Sequence, residues 1–361
     1  MPIEPTREGY VFAGWNTEAD GTGAEFDADT VVTSDITVYA QWGIPVSGVS
    51  LNKTVLFLQG ITTEETLMAT IEPANATNKG VTWASDNTAI ATVDDNGKVT
   101  AVALGTAKIT VTTEDGGKEA ICWVKVVASD SEIPVLENCV LYLDGSIGKY
   151  MASDIWYDLS GNGNHGTLNN FAHAEGSGWT DEGLQFNGVE GTKDDYVDCG
   201  NDESLDITDN LTLEAWLKIG DYFLDSSTVM CKTYAYRLNV RPQNRYAHFD
   251  LWVNNGEEGG SLKWNYIDSH YVLPESGWIH LVGTYADNTV KIYVNGELTV
   301  VKDNTDGIIN ESTEPLIIGR EIIPNRVGYP FVGVIGDIRV YNKALTAAEV
   351  LQNYLAGRSS P

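Results

Sequence analysis

Positive charge is what this sequence has least of. Lys and Arg together number 22 against 51 Asp and Glu, a formal charge of −29 at pH 7. Such a chain repels nucleic acid and anionic lipid, so neither is expected as a partner. Methionine is scarce, and Leu/Ala/Glu/Lys runs of helical period are almost absent, which excludes a helical bundle. The four cysteines, Cys122, Cys139, Cys199 and Cys231, form no CxxC pair and no His/Cys cluster, so zinc is not expected. Cys122, Cys199 and Cys231 lie in apolar strand-like runs and read as small buried hydrophobes, with a Cys139–Cys199 disulfide as the lesser alternative. No stretch has the length of a transmembrane helix, and Met1 to Pro5 carries neither the basic nor the apolar region of a signal peptide. There is no GxSxG elbow, P-loop or HExxH.

What the chain does have is Gly, Thr, Asn, Asp, Val and Tyr, the mixture of short strands and tight turns. At 361 residues it is long enough for two or three domains. In residues 1–43 two aromatic-bearing strands, around Tyr10 to Trp15 and Ile36 to Trp42, flank the Gly-rich loop Ala19 to Gly23. The runs REGYVFAGWNTEADGTG and ITVYAQW resemble the Listeria–Bacteroides (internalin B-type) repeat, a small β-grasp-like unit of bacterial surface proteins. The opening strand implied by that family would precede Met1, so the repeat reads as partial, with an open edge.

Residues 44–127 read as about seven short strands, with Asp94 to Lys98 as a hairpin turn that wants φ > 0 at Gly97. VTWASDNTAIATVDDNGKVTAVALGTAKITV resembles the bacterial immunoglobulin-like group 2 family, which implies a β-sandwich that spaces and presents other modules. Trp83 is expected in its core. Residues 128–134 are polar, end in Pro134 and read as a linker.

Residues 135–361 open with the apolar run Cys139 to Leu143 and close with the strand Gly333 to Tyr341. A terminal helix follows, with Thr346 and Glu349 as a capping box and Gly357 as its stop. Long alternating strands predict a two-sheet jelly roll. DLSGNGNHGT, LTLEAWLK, GWIHLVGTYADNTVKIYVNGEL and FVGVIGDIRVYNKALTAAEV resemble the laminin G-like members of the concanavalin A-like lectin/glucanase superfamily. The fold class is thus all-β throughout. The resemblance places Trp216 and Trp278 in the core and fits least well over about 219–275.

The resemblance further implies a structural calcium where the first and last strands meet. The matching positions are Asp144 and Asp337, with a carbonyl of the Phe186-Asn187-Gly188 turn completing the site at Asn187. The alternative is that Asp337 pairs with Arg339 or Lys343. Asp158, Ser160, Asn162 and Asn164 alternate like the start of an EF-hand loop, but Asn169 stands where its last Glu belongs, so a Gly/Asn turn cluster is the better reading. Hydrolases of the superfamily carry two acids on one strand face, close enough to flank a glycosidic bond. No such pair occurs here: Glu214 has no acid two residues on, and Glu257-Glu258 reads as a loop. No catalytic residue is assigned and an enzyme is not expected, except as an absent neighbour of this region.

Sugars are held by aromatic faces and planar polar groups. Both concentrate in 234–266, where Tyr234, Tyr236 and Leu238 are expected on one face and Arg237 on the other. The candidate ligand-binding residues are Trp252, Trp264, Tyr266, Arg245 and Tyr246, joined by Arg326 from the loop carrying Arg320, Asn325 and Tyr329. The expected function is a monomeric carbohydrate-binding or adhesion region of a secreted or surface-attached bacterial protein. Its partners would be a glycan or glycoprotein, and other surface proteins, without membrane insertion. Alternatives are a structural or protein-binding module of a surface stalk or phage fibre, and a divergent glycoside hydrolase.

Overall fold

The computed structural model describes residues 2–148, 154–173, 176–188, 194–220, 226–241, 244–254, 263–303, 307–322 and 328–357. Arg326 and Asn325 lie outside the described residues, as does Glu257-Glu258. The chain forms two compact units, Met1–Ala128 and Ser129–Pro361.

In the first unit, strand Val11–Asn16 runs antiparallel between Glu25–Phe26 and Tyr39–Gly43. Phe12 meets Trp15 and Trp42 edge-on, with the nearer ring centroids 5.4 Å apart. The strands beyond it form a sandwich. Val55–Gln59, Glu119–Val127, Gly105–Thr113 and Val81–Ser85 make one sheet in that order, and Glu64–Thr66, Lys98–Ala101 and Ala91–Val93 another. Alternation along Gly105–Thr113 buries Ala107, Ile109 and Val111, and the two sheets share a core with Leu56, Val99 and Val124. Gly97 takes φ +78, and a Cβ there would stand 2.5 Å from the Leu67 carbonyl, so the turn needs glycine. Trp83 packs partly buried against this core.

The segment 128–134, read as a linker, holds a 3-10 turn, Asp130–Glu132. The Ile133 carbonyl accepts from Gln352 of the terminal helix, 3.0 Å away.

The second unit is a jelly-roll sandwich. Its first sheet runs Gly178–Trp179, Leu184–Asn187, Val332–Tyr341, Leu211–Ile219, Ile279–Ala286, Thr289–Val294, Glu297–Lys302, with Cys139–Asp144 also paired to Val332–Tyr341. The second sheet runs Ile155–Trp156, Gly166–Asn169, Tyr196–Asp198, Leu316–Ile318, Ser227–Lys232, Tyr236–Arg241, Tyr246–Asn254, Lys263–Asp268. Inward residues of both sheets, among them Leu213, Leu281, Leu238 and Phe249, make one core. The sheets approach so closely at Gly283 that a Cβ there would lie 2.2 Å from the Phe249 ring. Thr346 and Glu349 cap helix Ala347–Gly357 reciprocally, with the Thr346 N–H donating at 2.7 Å.

Trp216 is buried as expected, on the outer face of the first sheet, stacked on Tyr354 of the helix at 5.7 Å. Three expectations need correction. Trp278 is only partly buried, with the Lys218 ammonium 5.1 Å from its ring. An alternating strand on a helix-covered sheet has two apolar faces, so membership of the sandwich core cannot be read from alternation alone. Tyr234 does not share a face with Tyr236 and Leu238: it precedes the strand at φ 67 and packs edge-on against Trp252. The Cys139–Cys199 alternative also falls, because all four cysteines are free and buried.

The same outer face carries a buried ionic network. Arg339, 2% exposed, donates to Glu214 and, at 2.7 Å, to Asp337, with its guanidinium carbon 4.5 Å from the Tyr142 ring. Asn353 of the helix donates to the other Glu214 oxygen at 2.6 Å and accepts from the Val135 N–H at 2.7 Å. Burial alone would push the Glu214 carboxyl up, but the Arg339 charge and the His280 and Asn353 contacts outweigh it and hold it at about 2. A depressed carboxylate stabilises the fold above its unfolded value and loses that contribution as pH falls towards the folded one. Acid titration between pH 4.5 and 2 is therefore expected to lower the stability of this unit through Glu214 by on the order of 3 kcal/mol, and Glu214→Gln to flatten that slope. Arg339→Met is expected to destabilise it by about 3–5 kcal/mol, because two carboxylates stay buried without their cation. Denaturant unfolding of the full chain across pH measures both.

Candidate functional site

Strand Tyr236–Arg241 points Tyr236, Leu238 and Val240 into the core, so Arg237, Asn239 and Arg241 face outward. Strand Tyr246–Asn254 buries Ala247, Phe249, Leu251 and Val253, which turns out Tyr246, His248, Asp250 and Trp252. The antiparallel register then aligns rows across the sheet. Arg237 stands opposite Asp250 and Asp250 opposite Tyr266; Asn239 stands opposite His248 and His248 opposite Asp268; Trp252 pairs with Trp264.

These outward residues are polar and yet buried: Arg237 is 8% exposed, Asn239 2%, His248 3% and Asp250 1%. Arg237 donates through Nε at 3.2 Å and Nη2 at 2.9 Å to Asp250 Oδ2, and Asn239 Nδ2 donates to the same oxygen at 3.0 Å. Glu321, from the segment after Leu316–Ile318, takes Arg237 Nη1 from the other side. Asp250 Oδ1, Asn239 Oδ1 and both His248 ring nitrogens have no hydrogen-bond partner among the described residues. The nearest ion-pair contact of His248 is Asp268, at 3.5 Å. Burial pushes the Asp250 carboxyl up to about 6, against the pull of Arg237. Burial also pushes His248 down to about 4, against the pull of Asp268, so its ring is neutral at pH 7. Around this floor stand Tyr266, 52% exposed, and Tyr234, 38% exposed, with the partly buried Trp252 packed edge-on against Tyr234.

Asp250 and Glu321 converge on one guanidinium. The gap between them is filled by Arg237, which leaves no room for a glycosidic bond between an acid and a nucleophile. The arrangement is suited to holding a ligand.

Of the residues expected from sequence, Trp252, Tyr266 and Tyr246 lie on this face, and the backbone of Trp264 pairs beside them. Arg245 does not join them as a ligand group: its guanidinium bonds the Pro274 carbonyl and lies 3.3 Å from Glu275, pinning a turn at φ 56. Sequence reasoning missed Asp250, Asn239 and Glu321. Strict alternation of polar with apolar residues in RLNVR and AHFDLWV was the available signal for the first two; Glu321 comes from a distant segment and had none.

The three residues expected to hold calcium do not form one donor set. Asp144 and Asp337 are directly opposed across the first and last strands. Asp144 accepts from Tyr142 Oη at 2.9 Å and Ser146 Oγ at 2.6 Å. Asp337 accepts from Arg339 and, at 3.3 Å, from the Gly145 N–H. Asn187 pairs with Val332, five positions from Asp337 and so about 16 Å along the strand; its N–H donates instead to Asp195, at 3.0 Å. Asp337 thus takes the Arg339 pairing that the sequence offered as the alternative, and Asp144, Asp337 and Asn187 as placed do not make one donor set for calcium. The Asp158 loop closes on itself, its carboxylate accepting from the N–H groups of Tyr142, Ser160 and Asn164.

An open hollow of about 560 Å³ lies at the other end of the second sheet, lined by His165, Thr167, Asp198, Asn201 and Asp202. Asp198 and Asp202 there already accept from Gly200 and Ser204 N–H groups, and Asn201 from Lys232. Its polar groups serve turns, which distinguishes it from the unmet floor around His248.

The architecture is a series of β-modules, the last described of them a jelly roll. Residues 190–351 match the family model of the concanavalin A-like lectin/glucanases superfamily, residues 45–124 that of the bacterial Ig-like domains (group 2), and residues 1–41 that of the Listeria–Bacteroides repeat domains, as the sequence motifs implied. Over 92 residues, 26% of this chain and 8% of the relative, the chain is 42% identical to a lacto-N-biosidase of Bifidobacterium bifidum. It is 40% identical over 98 residues to an alpha-L-arabinofuranosidase of Bifidobacterium longum subsp. longum, covering 27% of this chain and 9% of that one. It is 39% identical over 119 residues to an Ig-like virion protein of Serratia phage KSP90, covering 31% of this chain and 45% of that one. The chain thus spans less than half the length of each. Among solved structures, domain 4 of an extracellular arabinanase from Geobacillus stearothermophilus, in complex with arabinotriose, aligns with TM-score 0.40 at 19% identity, over 61% of this chain and 98% of that one.

If Arg339 is the cation of the strand junction, Asp337→Asn weakens the fold without altering its response to metal. Melting curves of wild type and variant, each with EDTA and with excess CaCl2, are expected to shift in parallel. A chelator effect present in wild type and abolished in Asp337→Asn would restore calcium to that site.

Proposed function

We propose that this chain is a non-catalytic carbohydrate-binding and adhesion region of a secreted or surface-attached bacterial protein, and that its jelly roll holds a glycan on the outer face of the second sheet. One observation carries the reading: exposed and half-exposed aromatics, Tyr266, Tyr234 and Trp252, border a polar row on a single sheet face. Aromatic faces cover the C–H surface of a sugar while fixed polar groups meet its hydroxyls. The match of residues 190–351 to a lectin/glucanases superfamily and partial similarity to two enzymes named for glycan cleavage support it. In this reading the Ig-like domain and the repeat space the jelly roll from the rest of the protein, and no metal takes part in contacting the glycan.

A second reading, a structural or protein-binding part of a phage fibre, is favoured by the similarity to a virion protein. A glycan array probed with the full chain separates the two. Saturable binding to a defined glycan class is expected, and Tyr266→Ala is expected to weaken it roughly tenfold, about 1.4 kcal/mol, with the melting temperature unchanged. Absence of binding to every glycan, with capture of a protein receptor instead, would favour the second reading.

A further inference from the structure

We propose that Asn239, His248 and Asp250 form a subsite for an uncharged sugar ring, taken through neighbouring hydroxyl groups. This rests on the glycan reading above and names the ligand class that the same face selects.

The inference begins from unmet hydrogen bonding. Buried polar atoms are nearly always satisfied, and leaving one unmet costs about 1–3 kcal/mol. Here four such atoms come from three residues, all under 4% exposed: Asp250 Oδ1, Asn239 Oδ1 and the two His248 nitrogens. The Asn239 amide cannot be turned round to relieve this, because its NH2 already donates to Asp250 Oδ2. The neighbouring Arg237 cannot relieve it either, since its guanidinium is directed to Asp250 Oδ2 and Glu321. At Glu214 on the other sheet His280 and Arg339 Nε also lack a hydrogen-bond partner, but both oxygens of the carboxylate are met, by Arg339 and by Asn353; the unmet acceptor oxygens belong to the Asp250 face.

The positions of the three groups fit one ring. Asn239 and His248 are directly opposed across the ladder, which puts their Cβ atoms about 4.5–5.5 Å apart, and Asp250 stands two residues from His248, about 7 Å away on the same face. Two of the unmet groups, the Asp250 and Asn239 oxygens, only accept. The neutral imidazole offers one donor and one acceptor. The complement is a molecule with adjacent groups that both donate and accept, which is what vicinal hydroxyls do.

Charge completes the selection. The groups facing the subsite are Arg237, Asp250, Glu321 and Asp268, with Arg241 at the rim opposite Tyr246. Arg237 is already shared between two carboxylates, so a carboxylate or sulfate on the ligand would meet unmet acceptors and a negative surround. Uronic, sialylated and sulfated sugars are excluded on this ground.

The test pairs affinity with stability. The full chain is applied to a glycan array carrying neutral, uronic-acid, sialylated and sulfated glycans, and the best neutral ligand is measured by calorimetry against wild type, His248→Leu, Asn239→Ala and Tyr266→Ala. Neutral glycans alone are expected to bind, and His248→Leu and Asn239→Ala to weaken them at least tenfold. His248→Leu deletes unmet polar atoms, so its melting temperature is expected to stay the same or rise, which a merely structural histidine would not give. Binding that is lost in Tyr266→Ala but kept in His248→Leu and Asn239→Ala would overturn the subsite and leave the glycan reading standing. A preference for acidic glycans would do the same. No glycan binding at all would overturn both.

Discussion

The jelly roll depends on a guanidinium held between two strands. Arg339 sits on the last strand, beside the first, and ties Glu214 of a third strand to Asp337 of its own. Chain ends of a sandwich are where fraying starts, and here both ends of the module are gathered on the same few atoms. The Glu214 carboxylate also receives Asn353, and Asn353 receives the Val135 N–H from the entering chain. The terminal helix therefore does more than cover Trp216. It links the entry segment to the closing strand through one asparagine, so removing the cation would loosen ends that are far apart in sequence.

A second buried arginine, Arg237, occupies the opposite sheet, and the two clusters differ in which atoms they leave without a partner. Around Arg339 the carboxylates are met by protein groups from several elements. Around Arg237 the ion pairs are equally close; both clusters leave ring or guanidinium nitrogens unmet, but only here are side-chain oxygens, Asp250 Oδ1 and Asn239 Oδ1, left unmet as well. Burying a charge pair without finishing its hydrogen bonds is destabilising. A fold keeps such a defect when binding compensates it, and the defect here lies beside the most exposed tyrosine of the sheet.

The architecture was legible because its determinants are local. Alternation in LTLEAWLK and in GWIHLVGTYADNTVKIYVNGEL reports strands, and Asn295-Gly296, at φ 53 and 80, reports a hairpin turn. The capping box at Thr346 and Glu349 is equally local. The site was legible by region, since aromatic and polar residues concentrate in 234–266, but not by member. Arg245 looked like a ligand group because arginine is common at such sites; its positive φ and its bond to Pro274 are consequences of a turn that composition does not reveal. Asp250 looked like one acid among 51, and only the register that opposes it to Arg237 makes it singular. The same holds for the carboxylates of the strand junction. Asp144 and Asp337 do meet across the strands, but the pairing of Asp337 with Arg339, two residues along the same strand, shows only once the strand is folded.

Charge connects these features to what the module can hold. A chain at −29 keeps anionic polymers at a distance and gains nothing from long-range attraction to neutral ones. In the proposed glycan reading, recognition then comes from contact: stacking on Tyr266 and its neighbours, and hydroxyls placed on fixed acceptors. Such contacts are short-ranged and depend on preorganisation. The Arg237 ion pairs supply it, holding Asp250 and Asn239 in one orientation on a rigid sheet rather than on a loop. The acidity of the whole and the acceptor-rich floor of the site therefore select in the same direction, against charge and for shape.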